Sequence, residues 1–186
     1  MIDSINNHPE LKAFIRKKCA EIKGGQRPSE IKLNRNIDPK LITVLKIDDY
    51  YISLRMQKTP KSIDCLIVFE IAKEYKIFLI ELRESKNRVR LTRITKPARI
   101  NDKFSTTIDD FMCIRFREIF KSEKFPIKHF SLFIVSSLFN SIADEYKKKG
   151  LKGLKCERYL NKPFIFRGII STILEATPTD FEEIIQ

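Results

Sequence analysis

The stretch from Ile63 to Lys86, IDCLIVFEIAKEYKIFLIELRESK, decides the fold. Two runs rich in β-branched and aromatic residues are separated by a short Lys-Glu turn, the signature of a central β-hairpin. Asp64 and Glu81 stand inside these runs, where burial is expected. If the loop has two residues, Ile71 closes it against Glu74; if it has four, Glu70 closes it against Tyr75. Counting outward in either case sets Asp64 directly opposite Glu81. Facing Cβ atoms on one face of a sheet lie about 4.5 to 5.5 Å apart, and like charges there destabilise the pair. Something positive therefore belongs between them. A hard divalent cation suits two carboxylates, since Mg²⁺ typically takes one or two carboxylates plus water and phosphate oxygens. The alternative is structural: Asp64 begins its strand, and Glu81 forms an ion pair with Arg55 or Arg83. Glu70, Glu74 and Glu84 fall near turns or strand ends and read as solvated. Glu21 lies on the border of a helix face and could lean toward the two acids.

Working outward from the hairpin, the upstream runs LITVLKI and YYISLRMQ flank Asp48-Asp49 and read as two further strands of a four-stranded meander. Leu11, Phe14, Ile15, Cys19 and Ile22 recur at helical spacing between a cap at Asn7 or His8 and a stop at Gly24-Gly25, which predicts a first helix. Downstream, KNRVRLTRITKPARINDK reads as a basic ribbon or loop. Ser105, Thr106 and Thr107 offer caps for a helix with Ile108, Phe111, Met112, Phe116, Ile119 and Phe120 on one face, ending before Pro126. HFSLFIVSS reads as a buried strand which, reached through a helix, pairs parallel to the meander. NSIADEYKKKG reads as another helix, and PFIFRGII as a last strand.

The chain has 186 residues, enough for a single domain with a sizeable core. Lys plus Arg outnumber Asp plus Glu by 36 to 24, a net charge of +12 that makes a polyanion the expected partner, nucleic acid before anionic membrane. The longest apolar run, FSLFIVSSLF, is about half of the ~20 residues that cross a bilayer. No membrane association is expected. The N-terminus MIDSINNHPELK carries acids and no apolar h-region, so the expected compartment is the cytoplasm. Cys19, Cys65, Cys113 and Cys156 are dispersed without a C-x-x-C pair, which argues against zinc and predicts reduced, mostly buried thiols.

Asp64 followed 17 positions later by Glu81-Leu82-Arg83 at the end of an apolar strand resembles the PD-(D/E)XK motif of the restriction-endonuclease-like nuclease superfamily. The order of elements, helix, antiparallel strands, helix and buried strand, is similar to that family's core over about residues 11–137, with 138–186 as a helix and strand extension. The resemblance implies an α/β fold with a restriction-endonuclease-like core, a central mixed sheet of antiparallel meander plus parallel strand, flanked by helices. It implies phosphodiester hydrolysis with Mg²⁺ or Mn²⁺ held by Asp64, Glu81 and the Leu82 carbonyl. Two departures stand out. No proline directly precedes Asp64, the nearest being Pro60, and Arg83 occupies the place of the family's lysine. A guanidinium can stabilise a phosphate but does not readily accept a proton. Lys86, at the strand end, is the candidate replacement.

Two basic clusters supply phosphate contacts. The first comprises Arg88, Arg90, Arg93, Lys96, Arg99 and Lys103; the second comprises Lys147, Lys148, Lys149, Lys152 and Lys155, continuing to Arg158. Aromatic residues fall at core spacing rather than among these charges, which favours double-stranded DNA over stacked single strands. The expected function is a Mg²⁺-dependent DNA endonuclease, with a homodimer as one way to cut both strands. The alternatives are a catalytically silent DNA-binding or assembly subunit of the same fold, and an RNA endonuclease.

Overall fold

A computed structural model of the chain describes residues 1–20, 30–31, 37–84, 91, 93–139 and 162–179. Its centre is the predicted hairpin: β5 (Cys65–Ile71) pairs antiparallel with β6 (Glu74–Leu82), with Ile71 opposite Glu74 and Cys65 opposite Ile80. The turn is the two-residue kind, with Ala72 and Lys73 both at positive φ, 51° and 66°. That left-handed pair matches the right-handed twist of the flanking strands. Before the hairpin come β1 (Ile15–Arg16), β2 (Cys19–Ala20), β3 (Glu30–Ile31) and β4 (Ile42–Lys46). After it come β7 (Ile127–Val135), β8 (Phe164–Phe166), β9 (Ile169–Ser171) and β10 (Ile173–Ala176). The main sheet has six strands in the order β1-β4-β5-β6-β7-β10. Its first four are antiparallel neighbours, and β7 and β10 extend it in parallel, as the buried HFSLFIVSS run predicts for β7. The protein is thus a mixed α/β structure.

Alternation along the strands splits the core in two. Leu45, Leu66, Val68, Ile77, Leu79, Leu132 and Ile134 face the helices. Val44, Ile67, Phe78, Ile80, Leu82 and Phe133 face the opposite side, where Cys19 and Ile31 pack. Besides α1 (Ile2–Asn6), the helical layer contains α2 (Ile47–Ser53), α3 (Pro97–Ser105), a π-helical stretch over Thr106–Arg115 and α4 (Arg117–Phe120). All six apolar residues predicted for one helix face, from Ile108 to Phe120, are buried. Wide π geometry brings residues five apart onto one side. Phe111 and Phe116 accordingly meet at 4.7 Å between ring centroids, and Arg115 reaches Asp110 at 2.7 Å.

Several expectations are corrected. Residues 50–57 do not form a strand: Ile47, Tyr50 and Tyr51 are buried and Leu54 half-buried at helical spacing, while Ile52 and Met56, which suggested alternation, are exposed. Asp48 and Asp49 are not a turn but occupy the first turn of α2, the end of a helix dipole that favours acids. The helix predicted after Asn7 is replaced by a 3-10 turn (Lys12–Phe14) and β1, because Ile15 and Arg16 find ladder partners in Leu45 and Val44. The basic ribbon is largely helical where described, with a break at Thr95-Lys96. Leu91, Thr95, Ile100 and Phe104 are buried at helical spacing, and Pro97 starts α3 at a position that has no helical N–H bond to lose. Ser105 to Thr107 therefore lie within the helical stretch and cap nothing. The cysteines are not all reduced: Cys19 and Cys65 form a disulfide. Cys113 is free and half-buried, its thiol pushed up by desolvation. The PFIFRGII run is a hairpin, β8 with β9, turning at Arg167-Gly168, both at positive φ. The predicted helix over NSIADEYKKKG lies outside the described residues. Among the described residues, no helix is long and apolar enough to cross a membrane.

Candidate functional site

Glu81 sits one residue before the end of β6 and is completely buried. Alternation with Ile77 and Leu79 turns it toward the helical layer, the same side that Asp64 takes by alternation with Leu66 and Val68. The hairpin register, extended one residue past Cys65 and Ile80, places Asp64 across from Glu81. Asp64 is 3% exposed, so its polar atoms must find hydrogen-bond partners within the protein. Its Oδ2 accepts a 2.7 Å hydrogen bond from the Leu82 N–H, and its backbone carbonyl accepts one of 3.1 Å from the Ile47 N–H. Asp64 thereby joins the end of β6 to the start of α2.

Two cations meet Glu81. Arg83 pairs with Oε1 through Nη2 and donates from Nη1 to the Leu82 carbonyl at 3.1 Å, while its backbone N–H binds the Val135 carbonyl at 2.8 Å. Lys103, from the last turn of α3, puts Nζ 2.7 Å from Oε1 and 3.0 Å from Oε2. Buried ion pairs hold only when geometry and additional bonds offset desolvation, and a carboxylate gripped by two cations satisfies that condition. Of the partners considered for Glu81 from sequence, Arg83 is the one found; Arg55 is exposed. Lys103, read as a phosphate contact of the ribbon, instead points inward with its side chain 13% exposed. Its role was hidden because it reaches Glu81 only through the docking of α3.

Asp48 extends the acidic surroundings. Its carboxyl is held above the usual carboxylate range by burial first and by the nearby Asp64 second, with Lys46 pulling the other way. Lys46 Nζ lies 3.1 Å from Asp48 Oδ1 and donates to the Ala20 carbonyl at 3.1 Å. Among the described residues, no group of three or more His, Cys, Asp or Glu side chains is placed to hold a metal ion. The donor set near Glu81 is two carboxylates and the Leu82 carbonyl, all hard oxygens of the kind Mg²⁺ accepts alongside water and phosphate. Asp64 and Glu81 carry two negative charges and Arg83 and Lys103 two positive ones. As the side chains stand, Arg83 and Lys103 occupy the place against Glu81 that a cation would take.

Arg93, Lys96 and Arg99 are exposed around the start of α3. Glu21, Lys86, Arg88, Arg90 and the second basic cluster from Lys147 to Arg158 lie outside the described residues. No family model matches the chain, and comparison with curated proteins and with solved structures finds no similar one.

Proposed function

We propose that this chain is a Mg²⁺-dependent nuclease of restriction-endonuclease-like architecture that hydrolyses phosphodiester bonds in double-stranded DNA. The observation that carries this reading is the completely buried Glu81, on the face shared with Asp64 and held by Arg83 and Lys103. A solvated surface acid would need no such enclosure. Asp64, Glu81 and the Leu82 carbonyl are the groups that would hold the ion. When bound, Mg²⁺ or Mn²⁺ supplies polarisation of the phosphate and a lowered pKa for an attacking water.

The chain's own residues do the rest. Lys103 Nζ, adjacent to Glu81, exchanges its carboxylate partner for a phosphate oxygen and compensates charge there; unlike Arg83 it can also hand over a proton. Arg83, bonded to the Leu82 carbonyl and to Glu81, keeps the strand end in place. Arg93, Lys96 and Arg99 hold the nucleic-acid backbone, contacts that position the duplex without reading its sequence.

The second reading is a catalytically silent DNA-binding or assembly subunit, favoured by the fact that Glu81 already has its charge met twice. Incubation with plasmid, linear duplex and structured RNA, each with Mg²⁺ or with chelator, separates the readings. Cleavage of the DNA substrates in Mg²⁺ and not in chelator is expected. Duplex binding without cleavage of any substrate would establish the silent subunit instead, and cleavage confined to RNA would move the activity to an RNA endonuclease.

A further inference from the structure

β2 and β3 do not belong to the main sheet; they form a separate antiparallel pair of two residues each, with Cys19 opposite Ile31 and Ala20 opposite Glu30. Two such short strands are far below what holds a β pair together in water, so this flap depends on its attachments. Cys19 and Ile31 pack on the sheet face opposite the helices. Among the described residues, a covalent tie from Cys19 to Cys65 and a charged hydrogen bond from Lys46 Nζ to the Ala20 carbonyl add to this anchorage. Both ties land at the acid end of the hairpin. Cys65 directly follows Asp64 and pairs with Lys46 on one side and with Ile80, the neighbour of Glu81, on the other. Lys46 in turn holds Asp48.

We propose that the Cys19–Cys65 bond is a redox-controlled clasp: as a disulfide it seats the β2–β3 flap on the sheet face opposite the helices, at the end of the hairpin that carries Asp64, and a dithiol reductant releases the flap while the six-stranded sheet stays folded. The exchange balances. A thiolate of the reductant attacks one sulfur and breaks the Cys19–Cys65 bond, giving a mixed disulfide; its second thiol then displaces that sulfur. The reductant leaves as a disulfide, and the two cysteines gain its two electrons and two protons as thiols. Both cysteines are completely buried, so attack requires the flap to lift first. Reduction is therefore limited by local opening, and its rate levels off as dithiol concentration rises.

Hydrogen exchange on the full chain, oxidised and after dithiothreitol, tests the clasp without reference to nucleic-acid cleavage. Amides of residues 19–20 and 30–31 are expected to exchange at least tenfold faster after reduction, while those of Ile77–Leu82 and Phe130–Val135 keep their protection. Cys19→Ala should show the fast flap with or without dithiol. Equal flap protection in both redox states would overturn the proposal, as would loss of protection across the whole sheet, which would make the bond a global staple. Alkylation of Cys19 and Cys65 in denatured, unreduced protein would remove its premise.

Discussion

Lys103 Nζ lies 2.7 Å from Oε1 of Glu81, joining the last turn of α3 to the end of β6 across the helix–sheet boundary. One amine thus fixes the seating of a helix and neutralises a fully buried acid. Lys103→Met should cost about 1–3 kcal/mol, because Arg83 remains to share the charge of Glu81. Glu81→Gln strands two buried cations and should cost about 3–5 kcal/mol. The double variant should lose less than the sum by at least about 1 kcal/mol. Urea unfolding of the four proteins measures this coupling, and strictly additive losses would show that the two groups do not support each other.

Asp64→Asn tests the site with little change in shape. An amide oxygen can still accept the hydrogen bond from the Leu82 N–H, so unfolding free energy should stay within about 1 kcal/mol of wild type. On the nuclease reading, Mg²⁺-dependent cutting should fall by roughly two to three orders of magnitude, the scale of the charge stabilisation supplied by a ligated metal. Plasmid nicking assays measure the fall. Undiminished cutting by this variant would remove Asp64 from the site.

Much of this arrangement was legible in the sequence, and the failures have physical causes. The hairpin register followed from counting outward from a two- or four-residue turn between two strand-forming runs, since both turn lengths give the same pairing. The misreading of α2 came from Ile52, Leu54 and Met56, whose alternation competed with the Ile47, Tyr50, Tyr51, Leu54 spacing that burial selected. Cys19 and Cys65 are 46 positions apart, and nothing in four dispersed cysteines specifies which two meet. Lys103 was visible only as one of several basic residues. Its partner is 22 positions away and is reached through the docking of a helix, which no local pattern encodes.

Asp48 offers a titration test of the acidic end. Burial and Asp64 raise its pKa, so the folded state binds a proton there more tightly than the unfolded state does. Between the ordinary value of 3.8 and the raised one, stability contributed by this group falls as pH rises, the reverse of a carboxylate whose pKa is depressed. Asp64→Asn removes a neighbouring negative charge, so the Asp48 midpoint should move down toward the ordinary value. Carboxyl ¹³C NMR titration in chelator, without divalent ions, measures that midpoint. A midpoint indifferent to the substitution would show that the two acids are not electrostatically coupled.

The exposed side chains at the start of α3 provide the last test. Arg93, Lys96 and Arg99 are exposed at and just before the start of α3, whereas Lys103 in its last turn pairs with buried Glu81, so a solvent-facing cationic patch is separate from the buried pair. Each neutralised phosphate releases counterions, and log affinity for duplex DNA falls by roughly 0.9 per contact per unit of log salt. Replacing Arg93, Lys96 and Arg99 together by Gln should flatten that slope by up to ~2.7 units and weaken binding about equally across sequences, since these contacts position rather than specify. The fold should survive, because none of the three is buried and exposed charges contribute little to stability. Fluorescence anisotropy over a salt series gives the slope directly. An unchanged slope with intact folding would place the phosphate-binding surface elsewhere on the chain, and the cluster from Lys147 to Arg158 would be the next to test.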